Sequence, residues 1–474
     1  MGASTVSIGR RIEIENPSSE LLDYVKNNLV VDNPDFTKKL RMGFWLGNTP
    51  KHLHLYETNA SKLILPFGVL HDIWHLIKGY SYTTHFPELP LDIEAQVSLY
   101  DYQETAVSAM VKAKNGILLA MCGGGKTRCG LAYISQINQK ALWLTHTGDL
   151  LTQSKNSAIA LGFDPAKLGT ITGGKVNIGE HITFATVQTL SKLNLQEYTD
   201  TWSVVIVDEC QHLCGTPTKV MQFYKCVSAL NARHKFGLTA TLHRSDGLEK
   251  CITSLVGNVI HEVPREAVAA NRVSAVIQPV YTNIKLPELA QASDGTLDYT
   301  KLVTALCEDE ARNKLIANMI ASDIEQGHSV LVLSDRIFHL ENLIELLPLN
   351  IQGIVAKVDG KMTSKKCKET RQDVMAGMRT SELKGLFASY MLAKEGLDIV
   401  NLDRLYLTTP HSNYTTIVQS AGRIERKFEG KNDAIVYDFV DDFGYASGCF
   451  AKRKRHYKKN GNAFIKNISY DVDC

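Results

Sequence analysis

The chain has 474 residues, with 52 Lys and Arg against 50 Asp and Glu, a formal charge of +2 and a hydrophobic fraction of 44%. That length exceeds one ordinary domain and suits about three. The balanced charge excludes a globally basic nucleic-acid coat, so any polyanion must be met by local patches. No apolar run is long enough to span a bilayer, and no basic stretch followed by an apolar segment opens the chain. The scattered cysteines form no CxxC pair and no zinc set. A cytoplasmic protein with reduced thiols and no membrane partner is expected.

Residues 1–97 read as a small mixed α+β domain. Lys38, Lys39 and Arg41 stand just before Phe44 and Trp45, and the stretches 52–56 and 62–68 read as strands ending in turns. Cations beside aromatics suit a nucleic-acid backbone and an unstacked base, so Lys38, Lys39 and Arg41 are candidate DNA contacts. A solvated face over a small core accounts for the same residues equally well.

Tyr102-Gln103 opens a helical stretch over 104–112. A glutamine amide offers one donor edge and one acceptor edge, which matches an adenine edge; a Gln there is also ordinary polar surface. The apolar run 116–119 then leads into Ala120-Met121-Cys122-Gly123-Gly124-Gly125-Lys126-Thr127, followed by Leu131, Ile134 and Ile137 at helical spacing. Strand, glycine turn, Lys-Thr and helix are the context of a phosphate-binding loop. Gly123, Gly124 and Gly125 let backbone N–H groups face an anion. Lys126 would reach the β/γ-phosphates and Thr127 would ligate Mg²⁺. Ala120 replaces the glycine that usually opens this pattern.

Strand and helix then alternate: strand 140–145, helix 150–161, strand 182–186, strand 204–207 and strand 236–241. Such units build a parallel sheet covered on both faces, with ligands beyond the carboxyl ends of the strands. Asp208-Glu209 follows four aliphatics at such an end. Asp208 would hold Mg²⁺, and Glu209 would orient and deprotonate an attacking water.

Residues 264–299 lose the rhythm and read as a connection between lobes with one crossing strand at 275–281. A second alternating series fills 300–445, with helices at 312–324 and 337–347 and strands at 329–333, 384–388, 404–407 and 434–437. It has no phosphate loop. Gln419-Ser420-Ala421-Gly422-Arg423-Ile424-Glu425-Arg426 places two arginines at i and i+3 on one expected helix face, where they could meet a transferring phosphoryl group. Residues 446–474 form a basic tail around 452–459, which reads as a phosphate contact or a solvated helix.

Taken together and in this order, the motifs resemble the superfamily 2 helicases and translocases of DExH type. The resemblance covers residues 99–445 and implies an α/β fold of two RecA-like parallel-sheet lobes in tandem: lobe 1 at 98–263 and lobe 2 at 300–445. Gln103 matches the adenine-reading glutamine, and 120–127 the first motif, where the family often carries Ala at the opening position. Thr147 and Thr186 match strand-contacting elements, as does Thr408 in the second lobe. Asp208-Glu209-Cys210-Gln211-His212 matches the DExH element, and Thr239-Ala240-Thr241 the element that couples hydrolysis to motion together with His212. Gly396 and Asp398 fall in the fifth motif, and Gln419, Arg423 and Arg426 in the sixth.

The resemblance implies ATP and Mg²⁺ as cofactors, catalytic roles for Glu209, Lys126, Arg423, Arg426 and Gln419, and DNA as partner, whether branched, forked or single-stranded. The segment 237–247 and the N-terminal stretch look like phage recombination and DNA-repair helicases, which implies branch migration or fork remodelling beside other replication or recombination proteins. An RNA helicase, a translocase on duplex DNA that does not unwind it, and a clamp without turnover are the rival readings. No endonuclease motif is present.

Overall fold

The computed structural model describes the chain except residues 1–3, 60, 122, 218, 245, 270–271, 292–295, 359–364, 395–398, 412–419, 466–467 and 470–474. It divides into two compact units, Met1–Ala267 and Val268–Cys474. Among the described residues no helix is long and apolar enough to cross a membrane.

The strands of the first unit are β1 (Thr5–Ile8), β2 (Arg11–Glu15), β3 (Val30–Asp32), β4 (His52–His54), β5 (Glu57–Asn59), β6 (Lys62–Pro66), β7 (Ser81–Thr84), β8 (Asn115–Leu119), β9 (Ala141–Thr145), β10 (Leu168–Thr172), β11 (Lys175–Asn177), β12 (Ile182–Thr186), β13 (Val204–Asp208), β14 (His234–Thr239) and β15 (Val259–Glu262). A five-stranded sheet runs β5-β6-β2-β1-β7. Its strands alternate: Ile12 and Ile14 are buried while Arg11, Glu13 and Glu15 face outward, the pattern of a sheet with one wet face. The eight-stranded sheet β11-β10-β12-β9-β13-β14-β8-β15 is parallel except for β11. Its central strands β9, β12 and β13 are buried along their whole length, as helices on both faces require. The register sets Leu119 of β8 beside Thr239 of β14, and Asp208 of β13 beside Leu238. The three strand ends that carry the chemistry therefore open at one edge.

The two sheets of this unit share a core. Val6, Ile8, Ile12, Ile14, Leu63 and Leu65 pack in one apolar cluster with Cys214, Leu248 and Cys251 of the larger sheet's layer. Gly68 lies directly against the end of helix Glu249–Val256, where a Cβ would sit within 2.6 Å of Gly257 N and Ser254 O. The strap that follows is also tied down: Leu89 N–H donates to Gln139 Oε1 at 2.7 Å, and Leu91 N–H to Asn138 O at 2.8 Å. The N-terminal segment supplies most of this core and shares it with the larger sheet's layer, so the small mixed domain expected at residues 1–97 packs directly on that layer. The reason is the alternating pattern: one apolar face of a five-stranded sheet has to be covered, and Leu21 and Val25 of helix Ser19–Asn28 and Ile73 and Ile77 of helix Leu70–Ile77 cover it together with Cys251 of helix Glu249–Val256.

In the second unit the strands are β16 (Val276–Tyr281), β17 (Val330–Ser334), β18 (Val355–Val358), β19 (Gly385–Ser389), β20 (Arg404–Leu407), β21 (Ile435–Val440) and β22 (Ile468–Ser469), in the order β18-β19-β17-β20-β21-β16-β22. The crossing strand expected at 275–281 is β16. It pairs in parallel with β21 from Val276–Ile435 to Tyr281–Val440, so this part of the expected connection belongs to the sheet. The basic tail is likewise corrected. Helix Gly444–Lys459 turns Arg453 and Tyr457 inward: Arg453 grips Asp438 through Nε at 2.9 Å and Nη2 at 2.7 Å, and Tyr457 Oη donates to the same carboxylate at 2.9 Å. Spacing of four residues puts both on one face, and Lys452, Lys454, Arg455 and Lys458 are exposed.

Replacing Gly68 by Ala is expected to destabilise the first unit by about 1–3 kcal/mol, because the new methyl meets helix-end backbone that cannot turn aside. Urea unfolding followed by tryptophan fluorescence and by far-UV circular dichroism measures it. Removing residues 1–97 is expected to leave an aggregating protein, since Leu248 and Cys251 lose their cover; a soluble, monomeric remainder would contradict the shared core.

Candidate active site

β8 enters the loop at Ala120, whose N–H donates to Thr239 O at 3.0 Å. Gly123 and Gly125 both take φ +80°, a region that costs glycine nothing. Helix Lys126–Ile137 starts directly after Gly125, so its unpaired N–H groups and partial positive charge face the loop. Thr127 is half-buried in its first turn. Lys126 Nζ donates to Ala120 O at 3.3 Å and lies 3.9 Å from Glu209 Oε1. Glycine backbone, helix end, lysine and hydroxyl form a donor set that fits a nucleotide's phosphates with a divalent cation.

Gln103 is buried against this loop. Its Oε1 accepts from Tyr100 N–H at 3.1 Å and its Nε2 donates to Gly124 O at 3.4 Å. A side chain on Gly125 would collide with this amide. Gln103 therefore couples the start of helix Asp101–Ala113 to the loop, and both edges of its amide are engaged there.

Asp208 and Glu209 leave the end of β13. Glu209 takes φ +51°, ψ +53°, left-handed backbone that a residue with a Cβ adopts at a cost of about 1 kcal/mol or more. The bend turns its carboxylate to Lys126 on one side and to Gln211 on the other. Asp208 is buried, and burial, followed by the charge of Glu209, pushes its pKa up to about 6, with Lys126 acting in the opposite sense. A cation bound there would relieve this strain.

From Glu209 a relay runs sideways to β14. Gln211 Nε2 donates to Glu209 Oε2 at 2.9 Å, and Thr239 Oγ1 donates to Gln211 Oε1 at 2.5 Å. Thr241 N–H donates to Thr239 Oγ1 at 3.1 Å. Arg244 clamps the far end, with Nε on Asp246 at 2.8 Å and Nη1 on the Gln211 carbonyl. Thr239 and Thr241 sit where coupling residues were expected, and Gln211 carries a bond to the acidic pair. His212 stacks on His146, rings 4.2 Å apart and 29° from parallel. Gln211, His146 and Arg244 were not singled out in the sequence. Gln211 lies inside the DExH element and was the one open to detection.

Among the expected nucleic-acid contacts, Thr147 caps helix Gly148–Ala160 by accepting from Leu150 N–H at 3.3 Å. Two others are corrected. Thr408 is fully buried, with its hydroxyl on Leu333 O at 2.7 Å. Thr186 is buried against Thr189 Oγ1 at 3.1 Å. Hydroxyls at the ends of buried parallel strands are taken up by neighbouring groups of the fold, leaving neither free for a phosphate.

In the second unit the described residues 420–424 are helical and include Arg423, and Arg426 lies beyond them in a bridge with Arg272, so the two arginines do not share a helix face. Glu425 ends the turn by pairing with Arg272 and accepting from Ala275 N–H at 3.3 Å. Gly396, Asp398 and Gln419 lie outside the described residues.

Residues 96–244 match the family described as type III restriction enzyme, res subunit, and residues 311–427 match the helicase conserved C-terminal domain. The chain belongs to the superfamily 2 helicases. A protein of Acanthamoeba polyphaga mimivirus, provisionally named an ATP-dependent RNA helicase, is 27% identical over 77% of this helicase and 66% of its own length. A protein of Escherichia phage T5, provisionally named a helicase, is 27% identical over 79% of this chain and 76% of its own. The DNA 3'-5' translocase XPB2 of Sulfurisphaera tokodaii is 26% identical over 77% and 86% respectively. The helicase has the RecA-like parallel sheets of its superfamily, and its helicase domains imply use of ATP.

Asp208→Asn is expected to make the cation-free protein more stable at pH 8 by about 3 kcal/mol, and to make little difference near pH 4. The native carboxyl titrates near 6 and the unfolded one near 4. The wild-type penalty therefore grows as pH rises between those values and stays constant above them. Thermal melts in a chelator at both pH values measure the difference.

Proposed function

We propose that this helicase is an ATP-driven DNA translocase or helicase acting on branched or forked DNA, with Mg²⁺ held by Thr127 and Asp208. Glu209 is its base: the carboxylate is turned out by a left-handed backbone, and Gln211 fixes its rotamer. Lys126 neutralises the β/γ-phosphates, and Arg423 and Arg426 act on the γ-phosphoryl group. ATP supplies the phosphoanhydride whose cleavage drives motion. The relay through Gln211 and Thr239 carries a change at Glu209 to Thr241, and from there to the helix that packs under the N-terminal sheet.

The observation behind the choice of branched DNA is the surface after helix Pro34–Arg41. Leu40, Met42, Phe44 and Trp45 are exposed, Trp45 at 87%, next to Lys38 and Arg41, which are exposed too. Gly47, at φ +50°, lets the Trp45 ring fold back over its backbone. Cations flanking aromatics provide phosphate contact and a face for an unpaired base together. The name of the Sulfurisphaera relative supports DNA; that of the mimivirus relative favours RNA. Comparing stimulation of ATP hydrolysis by single-stranded DNA, four-way DNA and RNA decides between them. The proposal requires four-way or forked DNA to stimulate more strongly than RNA at equal salt, and a larger response to RNA would overturn it.

Two variants should separate binding from chemistry. Lys126→Ala is expected to weaken nucleotide binding and lower turnover at least 100-fold. Glu209→Gln is expected to bind ATP with near-normal affinity and turn over at a similarly reduced rate, as read by nucleotide titration beside steady-state kinetics. If both lost affinity alike, Glu209 would be a ligand and not the base.

Reversing the charge of Lys38, Lys39 and Arg41 together is expected to lower affinity for four-way DNA at least tenfold and to flatten its salt dependence. Basal ATP hydrolysis in the absence of DNA reports that the fold is retained.

A further inference from the structure

A cavity of about 270 Å³ lies in the first unit, remote from the phosphate loop and unused by the reaction above. The β1–β2 turn contributes Arg10 and the start of β2 Arg11, helix Gln222–Ala229 contributes Tyr224 and Lys225, and Phe67 and Lys235 are also in the wall. The charges are unbalanced: four cations face it and Glu57 is the single carboxylate of the lining. Arg11 spends itself on Glu13 at 2.8 Å and Glu57 at 3.9 Å, and Lys225 on Ser191 O at 2.6 Å.

Lys235 is only 1% exposed. Its amine donates to Val227 O at 3.1 Å and stands 5.4 Å from the centre of the Phe67 ring, which leaves N–H capacity without a protein acceptor among the described residues. Arg10 has no ion pair among them either. Burial, and then the charge of Arg10, lower the Lys235 pKa to about 7. A buried ammonium beside an uncompensated guanidinium is costly. An alkyl side chain would fill this strand position at no such cost.

We propose that this cavity is a binding site for a phosphate group, with Lys235 as its buried cation and Arg10 as the guanidinium that closes over it from the β1–β2 turn. A phosphate dianion offers acceptors to both and removes the charge imbalance. Its position ties the turn of the N-terminal sheet to the start of β14, the strand that ends at Thr239. The phosphate can arrive as orthophosphate, as a nucleoside monophosphate or as the 5′-phosphate of a DNA end, and the chemistry recognised is the same.

The test uses the full chain carrying Lys126→Ala, so that the phosphate loop is silenced. Thermal melts are recorded with orthophosphate, with a nucleoside monophosphate, and with an oligonucleotide bearing or lacking a 5′-phosphate, each against sodium chloride at matched ionic strength. The expected result is a saturable rise in melting temperature with at least one of them. The response should be lost on adding Lys235→Met and weakened at least tenfold by Arg10→Gln. Calorimetry at pH 8 in two buffers of different ionisation heat should show proton uptake as the ligand binds, because Lys235 gains its proton. Should Lys235→Met fail to fold, Arg10→Gln, on an accessible turn, carries the comparison. The absence of a saturable response from every arm, or a response unchanged by Arg10→Gln, overturns the site.

Discussion

The parallel register of β8, β13 and β14 is the constraint on which the rest of the active edge depends. Because Leu119 lies beside Thr239 and Asp208 beside Leu238, a glycine loop, a carboxylate pair and a threonine from distant parts of the chain meet within hydrogen-bond reach. None of these groups could be held there by local structure. Buried aliphatic strands hold them, and a slip of one residue along any strand would turn each of its side chains to the opposite face of the sheet. The left-handed backbone at Glu209 is tolerated because the strands on either side are already fixed. Lys126 and Gln211 then define where its carboxylate points.

The same edge is continuous with the N-terminal sheet. Thr241 leads through Arg244 and Asp246 into helix Glu249–Val256, whose Cys251, with the neighbouring Leu248, fills the core under β1, β2 and β6. Gly68 allows the backbones to approach this closely. A displacement that starts at Glu209 therefore meets packed side chains at the junction, and the basic and aromatic surface beyond helix Pro34–Arg41 belongs to the same compact unit as the nucleotide loop.

How much of this was legible in the chain depended on the range of the interactions. The phosphate loop is local, since Gly-Gly-Gly-Lys-Thr between an apolar strand and a helix is the context such a loop needs, and the acidic pair after four aliphatics is nearly as local. The parallel strands showed as unbroken β-branched runs. Burial of a hydroxyl was not legible: Thr147, Thr186 and Thr408 look alike in sequence, and only tertiary packing separates the helix cap from two groups satisfied inside the sheets. The Arg423–Arg426 spacing suggested a helix, but Glu425 ends that turn by pairing with Arg272, far away in the chain. His212 belongs to a recognisable element, yet its ring stacks on His146, and the neighbouring Gln211 holds the carboxylate. The common core of the two N-terminal layers was hidden because an alternating strand announces an apolar face without saying what covers it.

Arg453 and Tyr457 show how a charged run can be structural on one side. Both close on Asp438 in the middle of β21, so the outermost helix of the second unit supplies the counter-charge of a carboxylate buried in its sheet. Shortening the chain to trim the cationic tail would strand that carboxylate in an apolar setting, a loss of about 3–5 kcal/mol when one partner of a buried pair is removed. Charge compensation therefore holds this helix to the unit, beside the pairing of β22 with β16 that follows it. A tag or fusion joined between β21 and Arg453 removes that counter-charge.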